Sequence, residues 1–453
     1  MNNIAIDPLL KDFSKVLTMH GKKAYLVGGA VRDIILKKKS SDWDIATDAH
    51  PLEVKKMFRT VIPTGIKHGT LTVLYKGKSI EITSFRKEAG YSDGRHPDEI
   101  EYAATIEEDL SRRDFTMNAI AASLPDGIIT DPFNGQADIK NKLIRCVGNA
   151  KERFNEDGLR PLRALRFVAQ LNFNIENTVL DAITASLNIT QKVSAERVRD
   201  EFEKIIRSND PVSAIRLMEQ TGLLALLLPE LQECRGVEQK GYHDFDVLDH
   251  SLLALDWTAH NGCGHTVRLA GLFHDLGKPK SALKNDDGVW TFYNHEKYSV
   301  EITNKIMKRL RYSNSQREEV VHLIEEHMFH YEDIWSDAAV RRFVSRVGED
   351  NLQNLFELRF ADSYALKKIT PPYDLLLPFQ KRIEKVLEKS RAFSLKDMAV
   401  KGHDLIELGI PAGKHLGIIL NRLLEAVIED PELNTKEKLL EIAAELDKNT
   451  VKM

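Results

Sequence analysis

The sequence predicts a mixed α/β domain at the amino terminus, followed by a long part that is mostly α-helical. Strands and helices alternate from residue 24 to residue 85, whereas nearly every apolar pattern after about residue 150 has the period of a helix. A chain of 453 residues has room for two to four domains, each with a core of its own. We place the domain boundaries so that they divide the chain into 1–145, 146–235, 236–370 and 371–453.

The elements of the α/β part follow from apolar periodicity and turn residues. An amphipathic helix is predicted at 8–20, closed by Gly21. The pattern then predicts, in order, strand 24–27, helix 30–36, strand 43–46, helix 51–58, strand 70–75 and strand 79–85. The last two strands flank Lys76-Gly77-Lys78, which is a hairpin signal. A sheet that combines this hairpin with strand–helix alternation is mixed.

The rest of the α/β part is less regular. Residues 86–104 are polar and contain Gly90, Gly94 and Pro97, so they predict a mobile loop. The segment 114–122 predicts a helix, and Asp126-Gly127 predicts a turn.

Composition limits the classes of function. No window of eighteen apolar residues exists, and the first residues lack a basic segment leading into an apolar one, so neither a membrane span nor a signal peptide is predicted. Cys146, Cys234 and Cys263 are scattered, which fits a reducing cytoplasm. The net charge of −4 means that any RNA binding must use local basic surface.

A metal–triphosphate site is predicted near the amino terminus. The strand at 24–27 runs into Gly28 and Gly29, whose backbone can approach a phosphate, and then into a short helix that carries Arg32. Asp42 and Asp44 stand two residues apart on the next strand, so their side chains share one face. Two carboxylates so close repel each other unless a cation lies between them, and ligands that are all oxygen suit Mg²⁺. The alternative is a glycine-rich turn beside an exposed acidic turn.

Arginines supply a second group of candidate residues. Arg112 and Arg113 precede a predicted helix start, where guanidiniums can neutralise a triphosphate, although a solvated charge run is the alternative.

A third candidate site follows at 157–166. Asp157, Arg160, Arg163 and Arg166 are spaced to follow one helix face. A carboxylate and a guanidinium on such a face match the amine and ring nitrogen of cytosine or adenine, whereas uracil and guanine would leave unmatched groups. The segment therefore predicts selection of C and A over U and G, unless it is an ordinary salt-bridged surface helix.

Histidines and aspartates form a fourth group. The sequence places His250, the adjacent pair His274-Asp275, His295, His327 and Asp362 on separate predicted helices. Neutral imidazoles and carboxylates are ligands of transition metals, and such a metal can generate hydroxide for phosphoester cleavage.

Five motifs in order resemble the class II tRNA nucleotidyltransferases, the CCA-adding enzymes of the polymerase-β superfamily. The motifs are G-G-A-V-R-D at 28–33, D-W-D at 42–44, R-R-D-F-T-M-N-A at 112–119, D-P-F-N-G at 131–135 and E-D-x-x-R at 156–160. The resemblance runs from about residue 22 to residue 232. It implies template-independent addition of C, C and A to the 3′ end of tRNA from CTP and ATP, with release of pyrophosphate, by two-metal nucleotidyl transfer.

The same resemblance implies roles for individual residues. Asp42 and Asp44 would hold catalytic Mg²⁺, with Glu81 as a third carboxylate, and Asp157 and Arg160 would read the base. Nucleotide-binding residues would be Gly28, Gly29, Arg32, Arg113, Asp114, Asn118, Arg163 and Arg166. The loop at 86–104 would move between C and A addition, but where the family usually has Arg-Arg-Pro this sequence has Arg95-His96-Pro97.

The fourth group resembles the HD phosphohydrolase superfamily. That resemblance implies His250, His274, Asp275 and Asp362 as ligands of a divalent transition metal, with His295 and His327 as ligands of a second metal. HD domains attached to some CCA-adding enzymes hydrolyse 2′,3′-cyclic phosphates and similar esters.

Taken together, the expected fold is an α/β nucleotidyltransferase palm with a mixed sheet (1–145), a helical neck with the base-reading helix (146–235), an HD domain (236–370) and a helical tail that holds tRNA (371–453). Segments 400–405 and 409–417 look like helix–turn–helix joints with free N–H groups for a phosphate. Three alternatives stay open: an A-adding enzyme that completes CC-ended tRNA, a poly(A) polymerase, and an RNA-bound metal phosphohydrolase with an inactive palm. The sequence leaves the oligomeric state open.

Overall fold

The structure, a computed structural model, describes residues 2–39, 42–65, 69–89, 99–239, 244–372, 374–389 and 394–450. The chain forms two compact units. The first comprises Met1–Gln232 with Arg309–Arg311, and the second comprises Glu233–Lys308 with Tyr312–Met453. No helix among the described residues is long and apolar enough to cross a membrane. The segment Arg95-His96-Pro97 lies outside the described residues.

The first unit begins with an α/β head. Its elements are α1 (Pro8–Met19), β1 (Ala24–Val27), α2 (Gly29–Ile35), β2 (Asp44–Thr47), α3 (Pro51–Met57), β3 (Val61–Gly65), β4 (Thr70–Tyr75), β5 (Lys78–Ser84), β6 (Arg86–Ala89), β7 (Glu99–Tyr102), α4 (Ile106–Ser111), a 3₁₀ turn (Thr116–Asn118), β8 (Ala121–Ser123), β9 (Ile129–Thr130), α5 (Gly135–Lys140) and β10 (Leu143–Ile144).

The head contains a seven-stranded mixed sheet in the order β3-β4-β5-β2-β1-β8-β9. Only β2 and β5 run parallel; the other neighbouring strands of the sheet are antiparallel. The predicted mixed sheet is thus confirmed, as are the hairpin and every predicted helix and strand from 8 to 85 within a residue or two. The side chain of Asp7 caps α1 by accepting from Leu9 N, 2.8 Å away, and Pro8 fits the first helical position because it has no N–H to satisfy.

The predicted helix at 114–122 is wrong. Only the 3₁₀ turn forms there, and the chain then enters β8, which pairs with β1. The alanines at 119, 121 and 122 favour a helix by intrinsic propensity, but all three are fully buried beside β1, and tertiary pairing overrides propensity.

The prediction of a loop over the whole of 86–104 is also wrong at its two ends. Residues Arg86–Ala89 and Glu99–Tyr102 form the antiparallel pair β6–β7, so the described flanks of this segment are strands. Arg86-Lys87-Glu88 is a charged run without the alternation of a strand, and glycines and a proline follow it, so the segment was predicted as a loop.

The rest of the first unit is helical apart from one short strand. Its elements are α6 (Ala150–Glu156), α7 (Arg160–Leu171), β11 (Asn174–Ile175), α8 (Asn177–Ala185), α9 (Leu187–Thr190), α10 (Ala195–Ile206), α11 (Pro211–Gln220), α12 (Leu223–Leu227) and α13 (Pro229–Gln232). β11 pairs in parallel with β10. Asp157 was expected on the same helix face as Arg160, but it lies in the turn between α6 and α7, so that expectation is wrong.

The second unit is almost entirely helical. Its elements are α14 (Val247–His260), α15 (His265–Phe273), α16 (Lys278–Ser281), β12 (Leu283–Lys284), β13 (Trp290–Thr291), α17 (His295–Arg309), α18 (Asn314–Glu326), α19 (Asp337–Val347), a 3₁₀ turn (Glu349–Asn351), α20 (Leu352–Lys367), α21 (Leu377–Lys389), α22 (Gly402–Glu407), α23 (Lys414–Glu429), a 3₁₀ turn (Pro431–Leu433) and α24 (Lys436–Thr450).

The tail of this unit has a core of its own among α22, α23 and α24, with Leu405, Leu423 and Leu439 fully buried. The predicted joint at 409–417 forms between α22 and α23, whereas 400–405 covers only the start of α22. The carboxylate of Asp404 already accepts from Lys401 N at the start of α22, 2.7 Å away, and also pairs with Lys436. That end of α22 is therefore capped from within the chain, and the prediction of free N–H groups for a phosphate is wrong there.

Candidate active site and metal centre

Carboxylates from two neighbouring strands meet at one point of the head sheet. Asp44, the first residue of β2, is the register partner of Glu81 on β5, and Asp42 lies two residues before Asp44. The pKa of Asp44 is raised, first because neighbouring protein atoms displace water from the carboxylate and also because Asp42 repels it; Arg113 opposes the shift. Burial and the charge of Asp44 likewise raise the pKa of Glu81. Like charges held this close favour a bound cation.

Gly28 lies under this carboxylate cluster. Its φ of +71° is a left-handed conformation that disfavours side chains. A Cβ there would lie 3.0 Å from Arg113 Nη1 and 3.6 Å from Asp44 Oδ2. The guanidinium and the carboxylate therefore close over the glycine backbone, which explains why the sequence needs glycine here. Asp109, buried behind the site, accepts from Arg113 Nη2 at 3.3 Å and orients it.

Arg32 is buried and held from two sides. Its Nη1 donates to Asn118 Oδ1 at 2.7 Å, and its Nε donates to Asp33 Oδ1 at 2.9 Å. A Cβ on Gly29 would lie 3.3 Å from Arg32 Nη2, so the guanidinium packs against the glycine backbone. The structure therefore joins the G-G-A-V-R-D motif to the R-R-D-F-T-M-N-A motif through a direct hydrogen bond.

Asp114 is buried and binds protein groups. Arg163 donates from Nε and Nη2 to Asp114 Oδ2 at 2.9 and 2.6 Å, and Phe115 N donates to Oδ1 at 2.9 Å. Burial alone would raise the pKa of Asp114, but the charges of Arg163 and Arg160 outweigh it and lower the pKa to about 2. Its carboxylate thus links the head to α7.

Asp157 and Arg160 are not in side-chain contact. Asp157 Oδ2 accepts from Arg197 Nη2 at 2.7 Å. Arg160 donates from Nη1 to Glu156 Oε2 at 2.5 Å and from Nη2 to the carbonyl of Arg112 at 3.2 Å. Each member of the predicted base-reading pair thus has a separate protein partner.

Arg166 is the last of the three arginines on α7. It pairs with the buried carboxylate of Glu201 at 2.6 Å, and its guanidinium stacks 4.0 Å from the centre of the Phe167 ring. Burial is the main cause that lowers the pKa of Arg166, to about 10.

In the second unit, a first group of metal-ligating atoms lies between α14, the end of α15 and α20. His250 Nε2 lies 3.1 Å from His274 Nε2, 3.4 Å from Asp275 Oδ2 and 3.1 Å from Asp362 Oδ1. His250, His274 and Asp275 are buried, and their ligating atoms lie within 4.8 Å of one another. Nitrogen and oxygen atoms that converge in this way fit a divalent metal.

A second group shares one residue with the first. Asp275 Oδ1 lies 3.2 Å from His295 Nε2, which in turn lies 3.3 Å from His327 Nε2. Asp275, His295 and His327 also form a buried three-ligand set. Because Asp275 presents Oδ2 to one set and Oδ1 to the other, its carboxylate can bridge two metals.

A backbone carbonyl lies beside Nδ1 of three of the four histidines in this centre. Nδ1 of His274 lies 2.9 Å from the carbonyl of Gly271, Nδ1 of His295 lies 2.9 Å from the carbonyl of Phe292, and Nδ1 of His327 lies 2.6 Å from the carbonyl of Ile324. If each Nδ1–H donates to its carbonyl, each Nε2 lone pair faces the centre.

The pKa shifts of His327 and Asp275 suit metal binding, whereas the charges of Asp275 and Asp362 outweigh burial and raise the pKa of His274, so a metal at its Nε2 would have to displace a proton. Burial, reinforced by the charge of His274, lowers the pKa of His327 to about 3, so its imidazole is neutral. The neighbouring histidines and Lys278 outweigh burial and hold the pKa of Asp275 well below its usual range, so its carboxylate is ionised. Neutral imidazole and carboxylate are the protonation states that a metal requires.

Two residues of this centre were missed in the sequence. Lys278, one turn after Asp275, places Nζ 2.5 Å from Asp275 Oδ2, and Arg359 donates to Asp362 Oδ2 at 3.1 Å. Both line a cavity of about 350 Å³ that opens beside His295, His327 and Asp362. The i+3 spacing from Asp275 to Lys278 and from Arg359 to Asp362 is the signal that would have revealed them.

Three protein-family models match the chain. Residues 24–145 match "Poly A polymerase head domain", residues 172–234 match "Probable RNA and SrmB- binding site of polymerase A", and residues 247–366 match "HD domain". The fold and the two sites therefore define a nucleotidyltransferase-type head joined to an HD domain, and both kinds of domain use divalent metals.

Similarity to individual proteins extends over nearly the whole chain. The CCA-adding enzyme of Lactobacillus johnsonii is 34% identical over 442 residues, covering 96% of this chain and 95% of that protein. The CCA-adding enzyme of Anoxybacillus flavithermus is 34% identical over 434 residues, covering 95% of this chain and 94% of that protein. The crystal structure of the Bacillus stearothermophilus CCA-adding enzyme in complex with CTP matches with a TM-score of 0.72 and 28% identity, covering 99% of this chain and 100% of that chain. The chain belongs to the CCA-adding enzymes, a family of tRNA nucleotidyltransferases.

Proposed function

We propose that this protein adds C, C and A in turn to the 3′ end of tRNA, using CTP and ATP without a nucleic-acid template. The observation that carries the proposal is the convergence of Asp44 and Arg113 on the backbone of Gly28, with Glu81 as the register partner of Asp44, in a chain related to CCA-adding enzymes over nearly its whole length. Nucleotidyl transfer requires two kinds of group in one site: acidic groups that bind a cation, and a guanidinium that binds phosphate.

Asp42 and Asp44 would hold Mg²⁺, with Glu81 beside them. Unlike the histidine–aspartate sets, these three do not form a three-ligand group within 4.8 Å. This fits Mg²⁺, which is usually held by one or two carboxylates while waters and substrate phosphates complete its octahedron. Bound there, Mg²⁺ would supply positive charge to the α-phosphate and to the attacking 3′-hydroxyl.

The chain's own residues would position the nucleotide. Arg113, oriented by Asp109, would neutralise triphosphate charge over Gly28. Arg32 is fixed by Asn118 and would contact the phosphate or sugar from the other side of the glycine pair.

Base selection would use Asp157 and Arg160. An incoming base that engages them would compete with Arg197 and Glu156, the partners that now hold these side chains. Cytosine and adenine each offer an amine to the carboxylate and an acceptor nitrogen to the guanidinium. These new hydrogen bonds offset the loss of the contacts with Arg197 and Glu156. Uracil and guanine offer the opposite pattern and would leave buried groups unpaired.

A second activity is proposed for the HD domain, namely metal-dependent hydrolysis of phosphoesters. The nitrogen-rich ligand set favours a divalent transition metal over Mg²⁺. Lys278 and Arg359 at the neighbouring cavity would bind the negative charge of the ester. The domain boundaries, the tRNA-holding role of the tail and a cytoplasmic location stay predictions.

The experiment that tests the main proposal uses a tRNA that lacks its last three nucleotides. We expect incubation with CTP alone to add two cytidines, and subsequent ATP to add one adenosine. Failure to add C, with addition of A only to tRNA ending in CC, would instead identify an A-adding enzyme. Long A tails on unstructured RNA would identify a poly(A) polymerase.

A further inference from the structure

One buried phenyl ring lies among three of the predicted nucleotide-binding arginines. The guanidinium carbons of Arg166, Arg32 and Arg163 lie 4.0, 5.2 and 5.9 Å from the centre of the Phe167 ring. The ring is 4% exposed, so water screens these contacts little. All three distances are within the range in which a cation is attracted to the face of an aromatic ring.

These arginines come from two parts of the first unit. Arg32 belongs to α2 in the head, whereas Arg163 and Arg166 lie on α7 together with Phe167 itself. The ring therefore contacts arginines from two parts of the site. Arg32 is proposed to bind the phosphate or sugar, and Arg163 and Arg166 lie on the helix that carries the base-reading Arg160. Phe115, which follows the R-R-D motif, meets the Phe167 ring edge to face, with the centres 5.6 Å apart, and fixes its orientation.

Each guanidinium also has polar partners. Arg32 donates to Asn118 and Asp33, Arg163 donates to Asp114, and Arg166 pairs with Glu201 and donates to Gln170. A polar partner fixes one side of a planar guanidinium, and three neighbouring positive charges repel one another. The negative face of an aromatic ring attracts cations from a further direction and so limits how far each guanidinium can swing.

We propose that Phe167 is a positioning residue for nucleotide selection, acting through the attraction of its ring for these three guanidiniums. The proposal rests on the proposed function, because it assumes that the arginines contact the nucleotide. An aliphatic side chain would fill the same space but would remove this attraction and leave the guanidiniums held by their polar partners alone, so the nucleotide would meet a less ordered set of donors.

The test is a series of fluorinated phenylalanines at position 167, which weaken the negative face of the ring stepwise with little change in its size. We expect the KM for CTP and for ATP to rise with each added fluorine, reaching about tenfold for the pentafluoro ring, the scale of one desolvated cation–aromatic contact. We expect kcat to change less. The same series at Phe154, a buried phenylalanine on α6, is the matched control and should leave KM unchanged.

Conventional variants give an independent measurement. Phe167→Leu should raise the KM for CTP and increase incorporation of U relative to C, and Phe167→Trp should recover most of the lost selectivity. Thermal unfolding of each variant separates these effects from loss of fold. If the unmodified enzyme adds CCA while KM stays flat across the fluorine series, the positioning role is wrong and the proposed function stands. If the unmodified enzyme adds no nucleotide, both are wrong.

Discussion

Asp44 and Glu81 are register partners across β2 and β5, the only parallel strand pair of the seven-stranded sheet. Both pKa values are raised, and burial is the first cause in each case. The pairing turns two carboxylates that are distant in sequence into one candidate cation site.

Asp44→Asn removes one charge at this site with almost no change in shape. We expect nucleotide addition to fall by about 10³-fold, because charge that develops in the transition state loses one stabilising group. The HD domain should still hydrolyse phosphoesters, because it lies in the other unit. The measurement is CTP incorporation on truncated tRNA, with Asp126→Asn in an exposed turn as the matched control. Full activity of Asp44→Asn would contradict the assignment.

Glu81→Gln tests the third carboxylate. The loss of one acidic neighbour should weaken metal binding, so we expect the Mg²⁺ concentration for half-maximal addition to rise about tenfold. A Mg²⁺ titration at saturating CTP measures this, with Glu152→Gln on the exposed face of α6 as control. An unchanged titration curve would make Glu81 an ordinary strand residue.

The HD centre makes a prediction about metal content. Asp275→Asn should remove the charge that bridges the two metal sites, so that neither metal binds and hydrolysis is lost. His327→Ala should lower the number of bound metals from two to one. His330→Ala, on a side chain that is 78% exposed, is the control. Metal analysis of the purified variants measures the stoichiometry, and CCA addition should persist in all of them. Equal metal content in wild type and Asp275→Asn would exclude the bridging role.

Asp114 predicts a pH dependence of stability. Its pKa is about 2 in the folded protein and 3.8 in its ordinary state, so the ionised carboxylate stabilises the fold by about 2 kcal/mol above pH 4. The contribution is lost as the pH falls from 3.8 towards 2, because the unfolded chain then binds the proton first. Asp114→Asn should therefore destabilise the protein equally at pH 7 and pH 5, and less at pH 3. Urea unfolding of wild type and variant at these values measures the difference; a difference independent of pH down to 3 would contradict the shift.

Much of the head was predictable because its signals are local. The strand alternation, the hairpin at 76–78 and the glycine pair each depend on a few adjacent residues, and all agree with the structure. The segment at 114–122 was not predictable, because its alanines are helix formers and only the neighbouring strand β1 makes β8 a strand. The sequence pattern of a segment does not show which strand will pair with it in the fold.

The candidate sites show the same limit. Residue types and spacing were sufficient to nominate His250, His274, Asp275, His295, His327 and Asp362, and the structure brings all six together. Spacing was insufficient for Asp157 and Arg160, because a turn separates them and each has a partner from elsewhere in the fold. The position of Phe167 among three arginines likewise depends on how α2 packs near α7.

Side chains of the protein are proposed to replace a template, and one sequencing experiment shows directly whether they do. Truncated tRNA is incubated with all four nucleoside triphosphates, and the new 3′ ends are sequenced for the wild type and for the double variant Asp157→Asn, Arg160→Gln. We expect CCA ends for the wild type, and for the variant a roughly 10- to 100-fold rise in U and G relative to C and A, or no addition at all. Clean CCA ends from a folded double variant would contradict the account.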